Sequence, residues 1–292
     1  MTKEIATPGK TKALLSQYGL SLKKSLGQNF LTDLTILNRI ADVLELSGED
    51  GVIEIGPGIG ALTQKLADRA DKVVAVEIDG RLVPVLKELF SDQPHVTIVH
   101  EDFLKLNLQQ MAVAEFKPKQ NLTVAANLPY YITTPILLKL IHSGLPLKRI
   151  VVMVQKEVAN RIAAEPGDKS YGSLSIAVQY FADARAVLEV PKTAFLPNPK
   201  VDSAVLRLNM LPRPAVEVAD EEFFFKVVRN SFRQRRKTIF NNLSRNLFSE
   251  IDKTAVVECF ESADIDPKRR AETLSLEEFA RLSGQLLQLV RD

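Results

Sequence analysis

Residues 51–63 read GVIEIGPGIGALT, a short apolar run that ends in three glycines and leads into a helical pattern. Glycine at a strand end lets a ligand approach the backbone closely, because no Cβ stands in the way. On both sides of this stretch, apolar runs typical of buried strands alternate with segments of helical periodicity. Continuous apolar strands separated by amphipathic helices predict a parallel sheet that is covered on both faces.

The alternation extends to about residue 210 and predicts a Rossmann-like α/β domain with a mostly parallel, seven-stranded sheet. The region 209–220 is predicted to be a linker, and only helical patterns follow it, including one in which Ser275 and Glu278 fit a capping box. We therefore expect a first domain over residues 1–210 and a small all-helical domain over 211–292. The predicted strands are 51–55, 72–78, 95–100, 121–127, 149–155, 184–190 and 200–208.

The composition is that of an ordinary globular protein, with 46% apolar and 25% charged residues in a chain of 292. A single cysteine, Cys259, excludes an internal disulfide framework and favours a reducing compartment. The N-terminus lacks the apolar segment of a secretory signal, and no apolar run approaches the roughly 20 residues that span a bilayer. These features predict a cytoplasmic protein.

Three of the predicted strands end in residues that could form one ligand site. Ligands of open α/β sheets bind beyond the carboxyl ends of the strands. The first strand ends at Gly56 and Gly58, the second at Glu77 and the third at Asp102. Glu77 could accept both ribose hydroxyls of an adenosine, and Asp102 could bind the adenine amino group. Pro57 removes an amide donor that a pyrophosphate would use, which favours S-adenosylmethionine over NAD without excluding NAD.

The fourth strand runs into NLPYY, residues 127–131. The amino group of adenine is a poor nucleophile, because its lone pair is delocalised into the ring. Hydrogen-bond acceptors on its two N–H groups would localise that pair, and Asn127 Oδ1 and the Leu128 carbonyl could be those acceptors. Pro129 would stiffen the turn, and Tyr130 offers a face on which a flipped-out base can stack. The plainer alternative is that Asn127 caps a turn and the tyrosines fill the edge of the core.

The motifs as a set resemble one family of enzymes. NLPYYITTPIL (127–137) is similar to the N/D-P-P-Y/F motif of amino-group methyltransferases. The other motifs are KKSLGQNFLTD (23–33), EIGPGIGALT (54–63), VEID (76–79), EDFLKLN (101–107), AFLPNPKVDSAV (194–205) and RAETLSLEEFARL (270–282). Together they resemble the KsgA/RsmA family of ribosomal RNA adenine dimethyltransferases, to which the Erm enzymes are related.

This resemblance implies a class I S-adenosylmethionine-dependent methyltransferase fold, S-adenosyl-L-methionine as cofactor and no metal. It implies methyl transfer to N6 of two adjacent adenosines in the loop of the 3′-terminal hairpin of 16S rRNA, with a role in small-subunit biogenesis. We expect the enzyme to be a monomer. The cofactor residues implied are Gln28, Asn29, Leu31, Gly56, Gly58, Glu77, Asp102 and Asn127.

The resemblance also assigns Phe195, in AFLPNP, as a second aromatic ring against the target adenine, opposite Tyr130. A phenylalanine in a proline-rich loop is otherwise more often a simple part of the core. The four residues expected to act on the target base are therefore Asn127, Leu128, Tyr130 and Phe195.

Charge is unevenly distributed, although the net charge is only +2. Residues 223–246 contain seven basic side chains and no acidic one, and their apolar residues recur at roughly helical intervals. A run of charge is usually a solvated helix face, but folded RNA would supply matching phosphates. We expect a basic helix here, which contacts ribosomal RNA through Arg229, Arg233, Arg236 and Lys237.

Three alternative functions remain open on the sequence. An Erm-like enzyme would methylate an adenine of 23S rRNA in the large subunit. A mainly non-catalytic assembly factor would bind immature small subunits, with methylation secondary. An NAD-dependent oxidoreductase is a poorer alternative, because it gives no role to the NLPYY stretch.

Overall fold

The computed structural model describes residues 5–20 and 27–291, with Arg291 described by its backbone alone. The first four residues of the KKSLGQNFLTD motif, 23–26, therefore lie outside the described residues. Nine strands and twelve α-helices are found in the described part of the chain. None of these helices is long and apolar enough to cross a membrane.

The nine strands form two sheets in the described part of the chain. The strands are β1 (Phe30–Leu31), β2 (Gly51–Ile55), β3 (Lys72–Glu77), β4 (Val96–His100), β5 (Leu122–Asn127), β6 (Leu147–Gln155), β7 (Ala182–Val190), β8 (Phe195–Leu196) and β9 (Ser203–Met210). Seven of them form one sheet in the order β4-β3-β2-β5-β6-β9-β7. The strands from β4 to β6 in that order are parallel to one another, and β9 is antiparallel to β6. The predicted mostly parallel, seven-stranded sheet is confirmed.

The centre of the sheet explains its continuous apolar sequence. β2 is buried at all five positions, and in β5 only the last residue is not fully buried. In the register of the sheet, Ile55 lies beside both Val76 and Ala126. The residues that follow β2, β3 and β5 therefore emerge at the same level of one edge, as parallel pairing requires.

Seven of the twelve helices in the described part of the chain begin after a residue whose side chain accepts a hydrogen bond from the first turn. The twelve helices are α1 (Pro8–Gln17), α2 (Leu34–Val43), α3 (Ala61–Ala67), α4 (Leu82–Leu89), α5 (Leu108–Glu115), α6 (Thr133–Ile141), α7 (Lys156–Ile162), α8 (Ser173–Gln179), α9 (Glu221–Ser231), α10 (Ile239–Asn246), α11 (Lys253–Ser262) and α12 (Leu276–Arg291). The seven with such a cap are α1, α2, α5 and α9 to α12. The capping box of α12 is confirmed, because Glu278 Oε2 accepts from Ser275 N at 2.8 Å and Ser275 Oγ from Glu278 N at 3.2 Å. α1 and α5 were not predicted, since neither has a clear apolar face.

A second, two-stranded sheet has no local sequence signal. β1 and β8 pair antiparallel, with Phe30 opposite Leu196 and Leu31 opposite Phe195. The pairing fixes the GQNFL segment beside the AFLPNP loop. Two motifs of the resemblance that are distant in sequence are thereby neighbours in the fold.

The chain divides into two compact units. Unit 1 comprises Met1–Ala159 and Arg185–Met210, and unit 2 comprises Asn160–Ala184 and Leu211–Asp292. The division after Met210 coincides with the sequence-based boundary, whereas residues 160–184 lie in unit 2 rather than with the rest of 1–210. The reason is apolar packing: the buried rings of Tyr171 and Tyr180 belong to the same core cluster as the phenylalanines of the C-terminal helices.

The continuous basic helix predicted over 223–246 is wrong. α9 ends at Ser231 and α10 begins at Ile239, so Arg233, Arg235, Arg236 and Lys237 lie in a loop, which we call the basic loop (residues 232–238). Two polar residues cause the break. Thr238 caps α10 by accepting a hydrogen bond from Asn241 N, and buried Asn242 bonds to both the N–H and the C=O of Gln234.

Candidate active site

A pocket of about 140 Å³ opens in unit 1 at the carboxyl ends of β2 to β5. The structure brings together in its walls every residue that the sequence analysis assigned to cofactor or target. These residues are Gln28, Asn29, Leu31, Gly56, Gly58, Glu77, Asp102, Asn127, Leu128, Tyr130 and Phe195. The residues assigned to RNA contact belong to unit 2 and are exposed there.

The glycine turn after β2 forms the floor of the pocket. Gly56 and Gly58 have φ values of 67° and 60°, in the left-handed region that favours glycine. A Cβ at Gly58 would lie 2.8 Å from Phe30 Cε1, whereas a Cβ at Gly56 would meet nothing within 4 Å. Gly58 therefore allows β1 to pack closely, and Gly56 leaves open space that a ligand can use.

Glu77 is held in one orientation at the end of β3. Its side chain is buried, with Oε2 accepting from Gly58 N at 3.1 Å and Oε1 from Asp79 N at 2.8 Å. Burial raises the pKa of Glu77, and the two backbone N–H groups act in the opposite direction. Each carboxylate oxygen has a second lone pair, so the group can still accept hydrogen bonds from two hydroxyls.

Asp102 lies in the turn after β4. Its Oδ1 accepts from Leu104 N at 3.0 Å, which fixes the side chain against its own loop. Lys139 of α6 holds the same loop by donating to the carbonyls of Leu104 and Leu106, each at 2.7 Å. Burial of the ammonium group lowers the pKa of Lys139, while the charge of Asp102 opposes that shift.

The GQN segment closes the pocket through two anchors. Gln28 Nε2 donates to Asp79 Oδ2 at 3.0 Å, and the Arg81 guanidinium, bonded to the same carboxylate, holds the pKa of Asp79 well below its usual range. The second anchor is Asn127 Nδ2, which donates to the Asn29 carbonyl at 3.0 Å. A carbonyl can only accept, so the amide must present Nδ2 to Asn29 and keep Oδ1 available. Asn127 Oδ1 accepts no hydrogen bond from the described residues.

The rest of the NLPYY stretch is also held in place. Leu128 N donates to the Met153 carbonyl at 3.2 Å, which continues the pairing of β5 with β6. The Tyr130 ring is half-buried, and its hydroxyl is hydrogen-bonded to Ser203 Oγ at 2.9 Å. Burial raises the pKa of Tyr130. Phe195 is 3% exposed, and its ring belongs to the core while also lining the pocket.

Glu54 is a pocket residue to which the sequence analysis gave no role. It lies within β2 at 2% exposure, and its Oε2 has no hydrogen-bond partner in the described part of the chain. Burial raises its pKa to about 8, Thr63 opposes that shift, and the charge of Glu77 adds to it. The available signal was a carboxylate inside an otherwise apolar strand. Met153, which also lines the pocket, gave no signal that distinguishes it from core.

A family of known enzymes matches this chain over nearly its whole length. The family described as "Ribosomal RNA adenine dimethylase" matches residues 19–286. The chain belongs to the ribosomal RNA adenine dimethylase family. A relative named ribosomal RNA small subunit methyltransferase A, from Shouchella clausii (strain KSM-K16), is 55% identical over 291 residues, which are 100% of this chain and 98% of the relative.

Solved structures agree with the family. A dimethyladenosine transferase from Plasmodium falciparum is 28% identical, with a TM-score of 0.73 over 90% of this chain and 98% of that chain. The 23S rRNA methyltransferase ErmE is also 28% identical, with a TM-score of 0.69 over 89% of this chain and 100% of that chain. The chain is therefore an rRNA adenine methyltransferase with the class I methyltransferase fold, and the predictions of family, fold and enzymatic activity are confirmed. Because the chain belongs to the adenine dimethylase family, the alternative of an NAD-dependent oxidoreductase is excluded.

Proposed function

We propose that this adenine dimethylase transfers methyl groups from S-adenosyl-L-methionine to N6 of two adjacent adenosines in the 3′-terminal hairpin loop of 16S rRNA. The product is N6,N6-dimethyladenosine. The observation that carries the proposal is that three strand ends suited to adenosine, at β2, β3 and β4, meet Asn127 and Leu128 of the fourth strand end in one pocket. The 55% identity to a small-subunit methyltransferase supports 16S rRNA rather than 23S rRNA as the substrate.

The pocket residues fit this cofactor. Glu77 offers a fixed carboxylate that could bind the ribose hydroxyls, and Asp102, which lines the same pocket, could accept a hydrogen bond from the adenine amino group. Gly56 leaves open space in which a ligand can approach the backbone, and the buried carboxyl group of Glu54 belongs to the lining of the same pocket, where it could interact with a positively charged group. Gln28, Asn29 and Leu31 would close over the methionine part. When bound, S-adenosyl-L-methionine supplies a methyl group that is already electrophilic on its sulfonium.

The protein's task is to orient the adenine amino group and to make it a better nucleophile. Asn127 Oδ1 and the Leu128 carbonyl would accept its two N–H hydrogen bonds and localise the nitrogen lone pair. Tyr130 and Phe195 would pack against the flipped-out base. After the first transfer only one N–H remains, so one of the two acceptors must give up its bond before the second transfer. No strong general base is needed, because the charged product amine can lose its proton to water.

Methyl transfer from labelled S-adenosyl-L-methionine to small subunits that lack the modification tests the proposal, with large subunits in parallel. We expect dimethyladenosine, identified by mass, on the small subunit. Asn127→Ala should lower the rate at least about 100-fold, as loss of a preorganised hydrogen-bonding group at a reaction centre does. Asn121→Ala is the matched control, because Asn121 is an exposed asparagine just before the other end of β5. That variant should keep the wild-type rate.

Other outcomes would assign a different function. Label on the large subunit would favour the Erm-like alternative. Cofactor binding without label on either subunit would favour a mainly non-catalytic assembly factor. Equal rates for Asn127→Ala and the wild type would contradict the role given to this amide.

We also propose a role for each of the two parts of the chain, and ribosomal RNA as the binding partner. Residues 1–210 would hold the cofactor and the target base, and the helical domain 211–292 would dock on ribosomal RNA, with the enzyme acting as a monomer in small-subunit biogenesis. The exposure of Arg229, Arg233, Arg236 and Lys237 supports this role, since phosphate contacts need accessible cations. A ribosomal substrate implies that the enzyme works in the cytoplasm.

A further inference from the structure

Tyr131 is the single exposed aromatic side chain of the protein. The chain has 14 phenylalanines, five tyrosines and no tryptophan, and all 19 rings lie in the described residues. The other 18 are buried or half-buried, whereas Tyr131 is 62% exposed. Aromatic rings bring large apolar areas into a core, so one that is left in solvent is available to a ligand.

The local backbone aims this ring away from the core. Tyr130 and Tyr131 are consecutive in a short 3-10 helix, Tyr130–Ile132, where successive side chains diverge by about 120°. Tyr130 lines the pocket and bonds to Ser203, so Tyr131 must face outward. The turn is fixed, because the Pro129 carbonyl accepts from Ile132 N at 3.2 Å.

The ring nevertheless borders the pocket. A Cβ built on Gly27 would lie 3.4 Å from Tyr131 Cε1 and 3.2 Å from Pro129 Cβ. Gly27 and Pro129 both line the pocket, and Gly27 has a φ of 63°, which a residue with a side chain would strain to adopt. Tyr131 Cε1 therefore lies beside Gly27, a residue of the pocket wall, although Tyr131 itself does not line the pocket.

We propose that Tyr131 is a second base-binding site, a stacking platform for the nucleobase next to the target adenosine. The inference rests on the proposed function, in which two adjacent adenosines enter one pocket in turn. While one base is in the pocket, its neighbour is one nucleotide away and outside. Unstacked RNA bases bind to exposed aromatic rings, and such stacking does not depend on which base is presented.

The test compares Tyr131→Ala with Tyr131→Phe, using small subunits that lack the modification. Tyr131→Ala should raise the KM for subunits about 10-fold, since stacking of one base on a ring contributes an effect of that order. Its kcat and its dissociation constant for S-adenosyl-L-methionine should stay within about two-fold of wild type. Tyr131→Phe keeps the ring and should restore the wild-type KM. Val113→Ala is the surface control, because Val113 is an 83% exposed apolar residue on α5.

Three results would overturn the stacking site. The KM of Tyr131→Ala for subunits could equal that of the wild type. Alternatively, Tyr131→Phe could raise this KM as much as Tyr131→Ala does, which would assign the effect to the hydroxyl. A loss of cofactor affinity in Tyr131→Ala would show instead that the ring supports the Gly27 segment. The proposed function fails separately, when the wild-type enzyme itself labels no adenosine of the small subunit.

Discussion

Glu54 shows at the residue scale how a binding pocket can lower stability. Its carboxyl group is buried in the central strand, and burial raises its pKa to about 8 from the 4.5 of an exposed glutamate. Between these two values, the folded cofactor-free enzyme holds a proton that the unfolded chain has released. The free energy of unfolding contributed by this group must therefore fall as the pH rises from about 4.5 to about 8.

Glu54→Gln removes this titration and should stabilise the cofactor-free enzyme more at high pH than at low pH. We expect the stability difference between variant and wild type to grow from about pH 5.5 to about pH 8.5, by no more than about 1.4 kcal/mol per pH unit. Urea unfolding at both pH values measures it. Glu101→Gln, which makes the same change at an exposed carboxyl, is the matched control. Parallel pH profiles for Glu54→Gln and the wild type would contradict the expectation.

Gly56 and Gly58 allow a prediction that distinguishes two structural reasons for a glycine: a positive φ, and a neighbour too close to leave room for a Cβ. Both have positive φ, so alanine at either position carries a strain of roughly 1–2 kcal/mol. Only at Gly58 does the added Cβ also collide with Phe30, at 2.8 Å. In the cofactor-free enzyme, Gly58→Ala should therefore lose about 1–2 kcal/mol more stability than Gly56→Ala, as overpacking does. Thermal unfolding of the two variants gives the comparison, and equal losses would mean that Phe30 moves aside.

At the scale of elements, the sequence predicts which strand ends form the pocket, but it does not predict the pairing of β1 with β8 beside them. Parallel topology places the carboxyl ends of strands at one edge, so local patterns at Glu77, Asp102 and Asn127 were sufficient to locate a non-local site. The pairing of β1 with β8 could not be foreseen, because each strand has two residues and no periodicity. Nothing in the sequence indicated that Tyr131 would remain exposed while Tyr130 is half-buried, because two adjacent tyrosines do not show which ring faces solvent.

The basic loop is the element on which the sequence-based prediction was wrong, and the break has a testable cause. Asn242 is 2% exposed and holds Gln234 by two hydrogen bonds, each 3.1 Å long. Asn242→Ala leaves both backbone groups of Gln234 without these partners, which costs about 1–3 kcal/mol in the ordered loop. We expect faster hydrogen exchange in residues 233–237 and weaker binding to small subunits.

Asn241→Ala is the matched control for this prediction. Asn241 is exposed on the same helix, and only its backbone N–H, which donates to Thr238 Oγ1, takes part in the cap. Cofactor affinity should be unchanged in both variants, because the pocket is formed by unit 1 alone. Unaltered exchange in the loop of Asn242→Ala would show that other contacts hold it.

At the scale of the whole molecule, the chemistry and the docking are assigned to different residues, so they can be removed separately. The pocket that holds Asn127 consists of unit 1 residues, and the basic loop belongs to unit 2. Asn127→Ala should therefore abolish methyl transfer while small-subunit binding remains. A double charge reversal, Arg233→Glu with Arg236→Glu, should weaken subunit binding and leave the affinity for S-adenosyl-L-methionine unchanged.

Salt dependence distinguishes lost phosphate contacts from a general change of charge. Each phosphate contact contributes about 0.7–0.9 to the slope of log affinity against log salt, so the Arg233 and Arg236 reversal should reduce the slope by about 1.5. The control is Lys268→Glu with Arg270→Glu, which changes the net charge equally at two other exposed bases of unit 2. Filter binding of small subunits over a salt series measures both double variants. If the control lowers the slope as much, net charge rather than the basic loop determines docking; if only the first pair does, the basic loop touches the RNA backbone.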